Sequence, residues 1–463
     1  MAKKKTKKKI IILGGGLAGL AAADALLATP EDRKKHEVMI LEKADFLGGL
    51  ASSFEYEGRQ IPKYYHQVFD HDYTTQKFLK RAGLFSDMAW KRIKMAFCIN
   101  GRIYNFTDPI SLLRFDYLSL YGRIRYGLFG AYVFTIMNPA KIKDSMNARE
   151  WLKRYAGREV TDKLFYQLYG RNKFNIPLER ISAKQFACRL KAKEAMGLFG
   201  YPRKGLQKMI DFLEKDLKDR GCNILLEADT SVIDTKAKKL TLRVKGGAKE
   251  GVKEEVKEGV DGGTEGGAVK TLKYDALIIT LPVPVLLKLA KGILESYRKR
   301  LSKVEYCPAL CVAFGTRSHL SGHYWLNMIS ERTHTLFQHS NLFDGYGYKV
   351  NWILRYGGSI EDFKLSDDEI KAAYLGDVHK YFNEQKPKKK PKILWARVFR
   401  ERYAEPVYDK DFAKYKPDYK TPVDGLYIAN TATSYPNIRN MNTALECGIE
   451  CAGIVRKKLG GKA

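Results

Sequence analysis

An α/β fold follows from three features of the sequence. The run Ile10-Ile11-Ile12-Leu13 is a short buried strand, and Gly14-Gly15-Gly16 turns it into the Ala/Leu-rich helical stretch Leu17 to Leu27. A second apolar strand, Val38-Met39-Ile40-Leu41, ends in the acid Glu42. Two long later segments, about 63–199 and 291–419, mix helical and strand patterns and have the makings of a second, α+β unit. The first two features form a β-α-β nucleotide site with its glycines and acid at the required places.

Each residue type in that site has a physical task. Gly14 makes the tight turn. Gly16, lacking a side chain, lets a pyrophosphate approach the backbone, and Gly19 lets helix and strand pack closely. The pyrophosphate then meets the free N–H groups and positive dipole end of the helix, beside Leu17 and Ala18. Glu42 accepts hydrogen bonds from ribose hydroxyls and repels a 2′-phosphate, so the adenosine half belongs to FAD or NAD, not to NADP.

The next residues favour FAD. Lys43-Ala44-Asp45-Phe46-Leu47-Gly48-Gly49-Leu50 follows the strand directly. It resembles the E-K-x-x-x-x-G-G motif of the flavoprotein superfamily that includes amine oxidases, protoporphyrinogen oxidase, phytoene desaturases and UDP-galactopyranose mutase. In that family the paired glycines, here Gly48 and Gly49, let the chain pass close to the cofactor phosphates, and the resemblance implies Glu42, Lys43 and Leu50 at the cofactor beside them. The common Arg after G-G-x-A is Ser52 here.

The resemblance recurs along the chain. Pro202-Arg203-Lys204-Gly205-Leu206, a helix through Lys218 and Gly221-Cys222-Asn223-Ile224 look like the family's mid-chain segment, which implies Val232 backbone groups near the adenine. Tyr274 to Pro282 is similar to the family's "D-x-V-I-x-A-x-P" strand. Asp424 to Thr431 is similar to its last strand, with Asn430 in place of the common acid. Asn440-Met441-Asn442-Thr443-Ala444 resembles the start of its closing helix, which in the family points at the flavin pyrimidine ring and stabilises negative charge there. Asn430, Asn442, Thr443 and Ala444 are therefore expected at the cofactor. No second G-x-G-x-x-G follows a strand, so a separate NAD(P)H domain is not expected.

The fold so implied is a discontinuous Rossmann-like FAD-binding domain, about residues 1–62, 200–290 and 420–463, with an inserted α+β substrate domain from 63–199 and 291–419. The first inserted segment reads as mostly helical, with a helix pair in Ala148 to Tyr169 broken at Gly157. In the second, Cys307 to Gly315, Tyr324 to Ile329, Thr333 to Gln338 and Val350 to Arg355 have strand character. Ser366 to Phe382 reads as a helix opened by a Ser366/Glu369 capping box. Lys245 to Val269, rich in Gly, Glu and Lys, reads as a mobile solvated loop of a hairpin. Lys386 to Pro391 reads as a basic loop.

Lys63, Tyr64, Tyr65 and His66 follow the paired-glycine loop. In relatives the chain here runs beneath the flavin into the substrate cavity, so Lys63, Tyr65 and His66 are the catalytic candidates, with His66 as proton acceptor. Ile61-Pro62-Lys63-Tyr64-Tyr65-His66 departs from the Asp-x-Gly of many relatives and lacks the Gly-Gly-His of the mutases. Tyr166, Tyr169, Tyr403 and Tyr408 are candidate cavity walls. Arg171, Lys173, Arg400 and Arg402 are candidate partners for a substrate carboxylate or phosphate.

Composition narrows the remaining choices. Lys+Arg number 82 against 52 Asp+Glu, a net charge of +30. Such a surface attracts acidic small molecules or anionic lipid, and peripheral membrane contact is expected. Aromatic and basic residues do not interleave in a nucleic-acid motif, so nucleic acid is not an expected partner. The apolar run Leu128 to Met137 is too short to span a bilayer and reads as core. The Lys-rich N-terminus runs into a nucleotide-binding strand, not a signal peptide, which points to the cytoplasm. The seven cysteines lack C-x-x-C or His partners, so they read as buried small hydrophobes and no metal is expected.

The expected activity is hydride abstraction by FAD from a C–H bond of an anionic or lipid-like small molecule, with the electron acceptor open. The alternatives are a non-redox mutase acting on a nucleotide sugar and an FAD-free escort protein of the same fold. Intact Gly14, Gly16, Gly19 and Glu42 weigh against the escort.

Overall fold

The computed structural model describes residues 6–105, 108–192, 197–245, 267–329, 333–357, 360–385 and 391–460. The tail lysines Lys3 to Lys5, most of the expected 245–269 loop and most of the basic 386–391 loop lie outside the described residues.

A five-stranded parallel sheet carries the glycine motif. Its order is Asn223–Leu225, His36–Leu41, Lys8–Leu13, Ala276–Ile279, Leu426–Ile428. The central strand is buried on both faces, which is why Ile10 to Leu13 is an unbroken apolar run. Helix Leu17–Leu26 follows it and packs on the closing helix Met441–Lys458. The contact is so close that a Cβ on Gly448 would lie 2.1 Å from the Ala18 carbonyl oxygen. A four-stranded sheet built on Ala228–Asp234, Lys239–Lys245 and Gly267–Lys273 flanks this unit. Lys245 pairs with Gly267, so the segment between them joins two antiparallel strands.

The second large sheet has seven strands: Ile393–Pro406, Tyr306–Thr316, Lys349–Tyr356, Thr335–Gln338, Trp325–Ile329, Met95–Ile99 and Arg102–Asn105. Its middle strands lie within a residue or two of the expected ones. Helix Asp367–Gln385 covers one face, and its capping box is made: Ser366 Oγ and N donate to Glu369 Oε2 at 2.7 and 2.8 Å.

Three features depart from expectation. Segment 63–199 is not mostly helical at its start, because Met95–Ile99 and Arg102–Asn105 form a hairpin of the large sheet. Its loop is Asn100-Gly101, both at positive φ (49° and 76°), the backbone a two-residue hairpin demands. Strand Ile393–Pro406 is the second departure. Its run of Arg and Glu hides the alternation that packs Trp395 and Phe399 against Phe54. The third is the stretch Leu128 to Met137, which is only partly core: Phe129, Val133 and Met137 are buried, whereas Leu128 and Ile136 are 62% and 77% exposed.

Helix Ala148–Tyr155 does break at Gly157, where φ is +87°. Beyond a short α-turn the chain winds as a wide π-type helix over Thr161–Phe174. Such windings are rare and concentrate at functional sites, and Phe165, Leu168, Tyr169, Asn172 and Lys173 of this one line a cavity.

Candidate active site

The nucleotide cradle is assembled from two glycine turns that clasp each other. Gly48 N donates to the Gly15 carbonyl at 2.8 Å, and Gly16 and Gly48 form a parallel bridge. Gly14 takes φ +112°, and a Cβ there would strike Thr280 Oγ1 at 2.3 Å. A Cβ on Gly19 would lie 2.0 Å from the Gly14 carbonyl oxygen. Gly16 differs: a Cβ there would meet nothing within 4 Å, so this glycine borders open space. The turn at Gly14 and the packing contact at Gly19 are thus present, and Gly16 leaves the open space that a pyrophosphate would need. The cradle's residues suit the phosphates of FAD.

Glu42 Oε2 accepts from Gly15 N at 2.7 Å and Oε1 from Ala44 N at 2.9 Å. The carboxylate thus ties the first glycine turn to the chain just past its own strand, and its remaining lone pairs could accept from ribose hydroxyls. Ser52, where relatives carry Arg, is buried and donates from Oγ to the Gly49 carbonyl at 2.7 Å.

This cradle opens into a continuous cavity of about 1550 Å³. Gly14, Gly16, Leu17, Ala18, Glu42, Gly48, Gly49, Leu50, Asn430 and Ala444 lie on its wall. Gly19, Lys43, Val232, Asn442 and Thr443 do not. Gly19 packs behind the turn, and exposed Lys43 pairs with Asp229 at 3.0 Å. Val232 lies at a bulge of its strand. Asn442 accepts from Thr75 N, and Thr443 bonds the capping residue Asn440. Asn440 and Met441, the start of the closing helix, line the cavity instead, so its positive dipole end is presented there. Asn430 spends its amide on structure, donating to the Leu281 carbonyl and accepting from Ala432 N.

Lys63, Tyr65 and His66 all line the cavity. Lys63 N donates to the Ser52 carbonyl, which ties this segment to the paired-glycine loop. Lys63 Nζ sits 3.3 Å from the Phe46 ring centroid, and burial lowers its pKa. Tyr65 stacks on Phe337 with centroids 3.6 Å apart and shares a 2.7 Å hydroxyl bond with Tyr356. His66 Nδ1 lies 2.9 Å from the Tyr64 carbonyl oxygen. A carbonyl only accepts, so Nδ1 carries the hydrogen and Nε2 keeps a lone pair. Burial, opposed by that bond and reinforced by Arg439, pushes the His66 pKa down to about 4. The ring is neutral at pH 7.

Other candidates separate cleanly. Tyr169, Lys173, Arg400 and Tyr403 line the cavity, whereas Tyr166, Arg171, Arg402 and Tyr408 do not. Arg400 is paired with Asp367 at 2.5 Å. Tyr408 is buried and donates to the Thr431 carbonyl at 2.8 Å.

Of the most highly charged group at the cavity, sequence reasoning found only Lys173. Glu405, 1% exposed, receives Arg189 at 2.6 Å, Lys173 at 3.0 Å and Arg439 at 3.7 Å. Burial alone would raise the Glu405 pKa, but Lys173, Arg189 and Arg439 outweigh it and hold the carboxyl at about 2. Burial and then repulsion by Arg189 lower the Lys173 pKa. All three cations line the cavity. Glu401, also on the wall, has its pKa raised by burial while accepting from Tyr403 N at 2.8 Å. The cluster unites residues 173, 189, 405 and 439, so no local motif announces it; of its members the sequence pointed only to Lys173, and Arg439, beside the recognised helix start, could have been added.

Three comparisons bear on this geometry. The chain is 23% identical over 487 residues to the 15-cis-phytoene desaturase, chloroplastic/chromoplastic, of Glycine max, covering 95% of this chain and 78% of that protein. A structure from Exiguobacterium sp. 255-15, assigned as a protoporphyrinogen oxidase, superimposes with a TM-score of 0.74 at 13% identity over 98% of this chain and 99% of that one. Reduced UDP-galactopyranose mutase gives 0.73 at 16% identity over 98% and 96%. The family model for flavin containing amine oxidoreductases matches residues 17–456. The chain therefore belongs to the flavin containing amine oxidoreductase family, an oxidoreductase fold whose cofactor is FAD.

Proposed function

We propose that the protein is an FAD-dependent oxidoreductase that removes hydride from a C–H bond of an anionic, largely apolar small molecule. The observation that carries this reading is the charge cluster: three cations around one carboxylate, in a cavity otherwise walled by rings such as Tyr65, Tyr169, Phe337, Tyr356 and Phe399. The excess of two positive charges calls for an anion, and the aromatic wall calls for an apolar body.

FAD, when bound, supplies the hydride acceptor. Gly14, Gly16, Gly48, Gly49 and Glu42 hold its nucleotide half. Lys173, Arg189 and Arg439 orient the substrate's acidic group, and the ring wall excludes water. His66, neutral and with Nε2 free of its own proton, takes the proton that a substrate must lose together with the hydride to form a double bond or imine.

The test is an anaerobic titration of the FAD-loaded enzyme with a porphyrinogen, a polyisoprenyl phosphate and a diamine, followed by flavin bleaching. Bleaching by an acidic apolar compound supports the reading; bleaching by the diamine alone sinks it. The cation cluster also suits the diphosphate of a nucleotide sugar, which keeps a mutase-type reading in view. That reading requires turnover with no net consumption of an electron acceptor.

A further inference from the structure

Half of the large apolar side chains that stand exposed among the described residues fall in one short stretch. Ile110, Leu113, Leu120, Tyr121, Ile124, Leu128 and Ile136 are each 51–77% exposed. They belong to helix Pro109–Leu113, helix Leu120–Thr135 and the residue after it. At 3.6 residues per turn, Leu120, Tyr121, Ile124, Leu128, Ala131 and Thr135 share one face of roughly 100°. All six are exposed. Gly122, Phe129 and Val133 on the opposite side are buried in the core.

The side between these two belongs to the cavity. Tyr126, Gly127, Gly130, Ala131 and Phe134 line it, as does Leu112 of the shorter helix. Ala131 is both exposed and on the cavity wall, so the apolar outer face runs over the lip into the cavity. The surroundings carry an excess of cations: Arg114, Arg123, Arg125, Lys141 and Lys143 stand against Asp116, paired with Arg102 at 2.8 Å, Asp108, which caps the shorter helix, and Glu159 at the start of the longer one, paired with Lys163 at 3.0 Å. Arg123 and Arg125 donate to backbone carbonyls, and Arg123 also acts on Asp116 through space.

We propose that this helix pair docks on an anionic lipid surface, with Leu120, Ile124 and Leu128 inserted among the acyl chains and the flanking cations at the headgroups. An apolar face with basic flanks is the composition of an interfacial helix. A second copy is disfavoured as occupant because it would bring the same cations into apposition. No helix among the described residues is long and apolar enough to cross a membrane, so the contact is peripheral. The proposal deepens the reading of an apolar substrate, since such a compound would pass from lipid across the Ala131 lip, but its test does not depend on turnover.

The test is co-sedimentation of the full chain with phosphatidylcholine vesicles, with and without phosphatidylglycerol, for the wild type and for Leu120→Gln/Ile124→Gln/Leu128→Gln. All three positions are exposed, and unchanged melting would establish that the variant folds. The expected result is binding to phosphatidylglycerol-containing vesicles that falls at least tenfold in the variant. Equal binding by wild type and variant, or a wild type that stays in the supernatant, overturns the proposal. So does a wild-type dimer in sedimentation equilibrium that dissociates in the variant, which would assign the face to a second copy.

Discussion

Arg189 donates to Glu405 at 2.6 Å from a position 216 residues earlier, and both side chains are buried. Removing the acid leaves Lys173, Arg189 and Arg439 in mutual repulsion without a counter-charge. Breaking a buried ion pair from one side costs about 3–5 kcal/mol. Glu405→Gln should therefore lower the free energy of unfolding by that amount in urea titrations. A change under about 1 kcal/mol would mean that the cluster is solvated in solution.

The glycine turns make a paired prediction. Gly19→Ala places a methyl group 2.0 Å from the Gly14 carbonyl and should lower both melting temperature and FAD content. Gly16→Ala meets nothing within 4 Å of protein, so the apoprotein should melt normally while FAD content falls. Equal loss of stability in the two variants would contradict the assignment of Gly16 to the cofactor.

Stability should depend on pH below neutrality. His66 and His334 have pKa values pushed down to about 4 and His339 to about 3, each chiefly by burial. Free histidine titrates near 6.5, so between about 6.5 and 4 the unfolded chain binds more protons and stability falls as pH falls. Each group contributes about 1.4 kcal/mol per pH unit in that window. Melting curves from pH 7 to pH 4 should show the loss, and His339→Gln should reduce its slope. A flat profile would mean that these rings are not buried neutral.

Substrate affinity should weaken at alkaline pH. The Lys173 pKa is lowered by burial and by Arg189, so its charge is lost before that of an ordinary lysine. For an anionic substrate KM should rise as Lys173 deprotonates, and Lys173→Arg should flatten that rise. A pH-independent KM in the wild type would remove Lys173 from the binding role.

Much of the nucleotide half was legible because its determinants are local. Gly14, Gly16 and Glu42 belong to one β-α-β unit and Gly48 and Gly49 to the loop directly after it, and their backbone demands are written in residue type. The Asn100-Gly101 hairpin was equally legible and was overlooked beside the helical pattern that follows it. The charged cluster was legible only at Lys173. Lys173, Arg189, Glu405 and Arg439 come together only through the packing of four distant segments, and nothing in their neighbours sets Arg189 or Arg439 apart from the surface cations of a basic protein. Leu128 and Ile136 were misread as core because hydrophobicity alone does not say whether a helix face meets protein or something else.

The central claim is that the cluster around Glu405 selects an acidic substrate for the flavin. Anaerobic bleaching titrations of wild type and Arg439→Gln test it most directly. A lost charge-assisted bond is worth about 1.5–3 kcal/mol, or about 10- to 150-fold. The account predicts bleaching by an acidic apolar compound, with half-saturation raised by that factor in the variant and FAD content unchanged. Bleaching only by amine cations, or an acidic substrate bound equally well by both proteins, would contradict it.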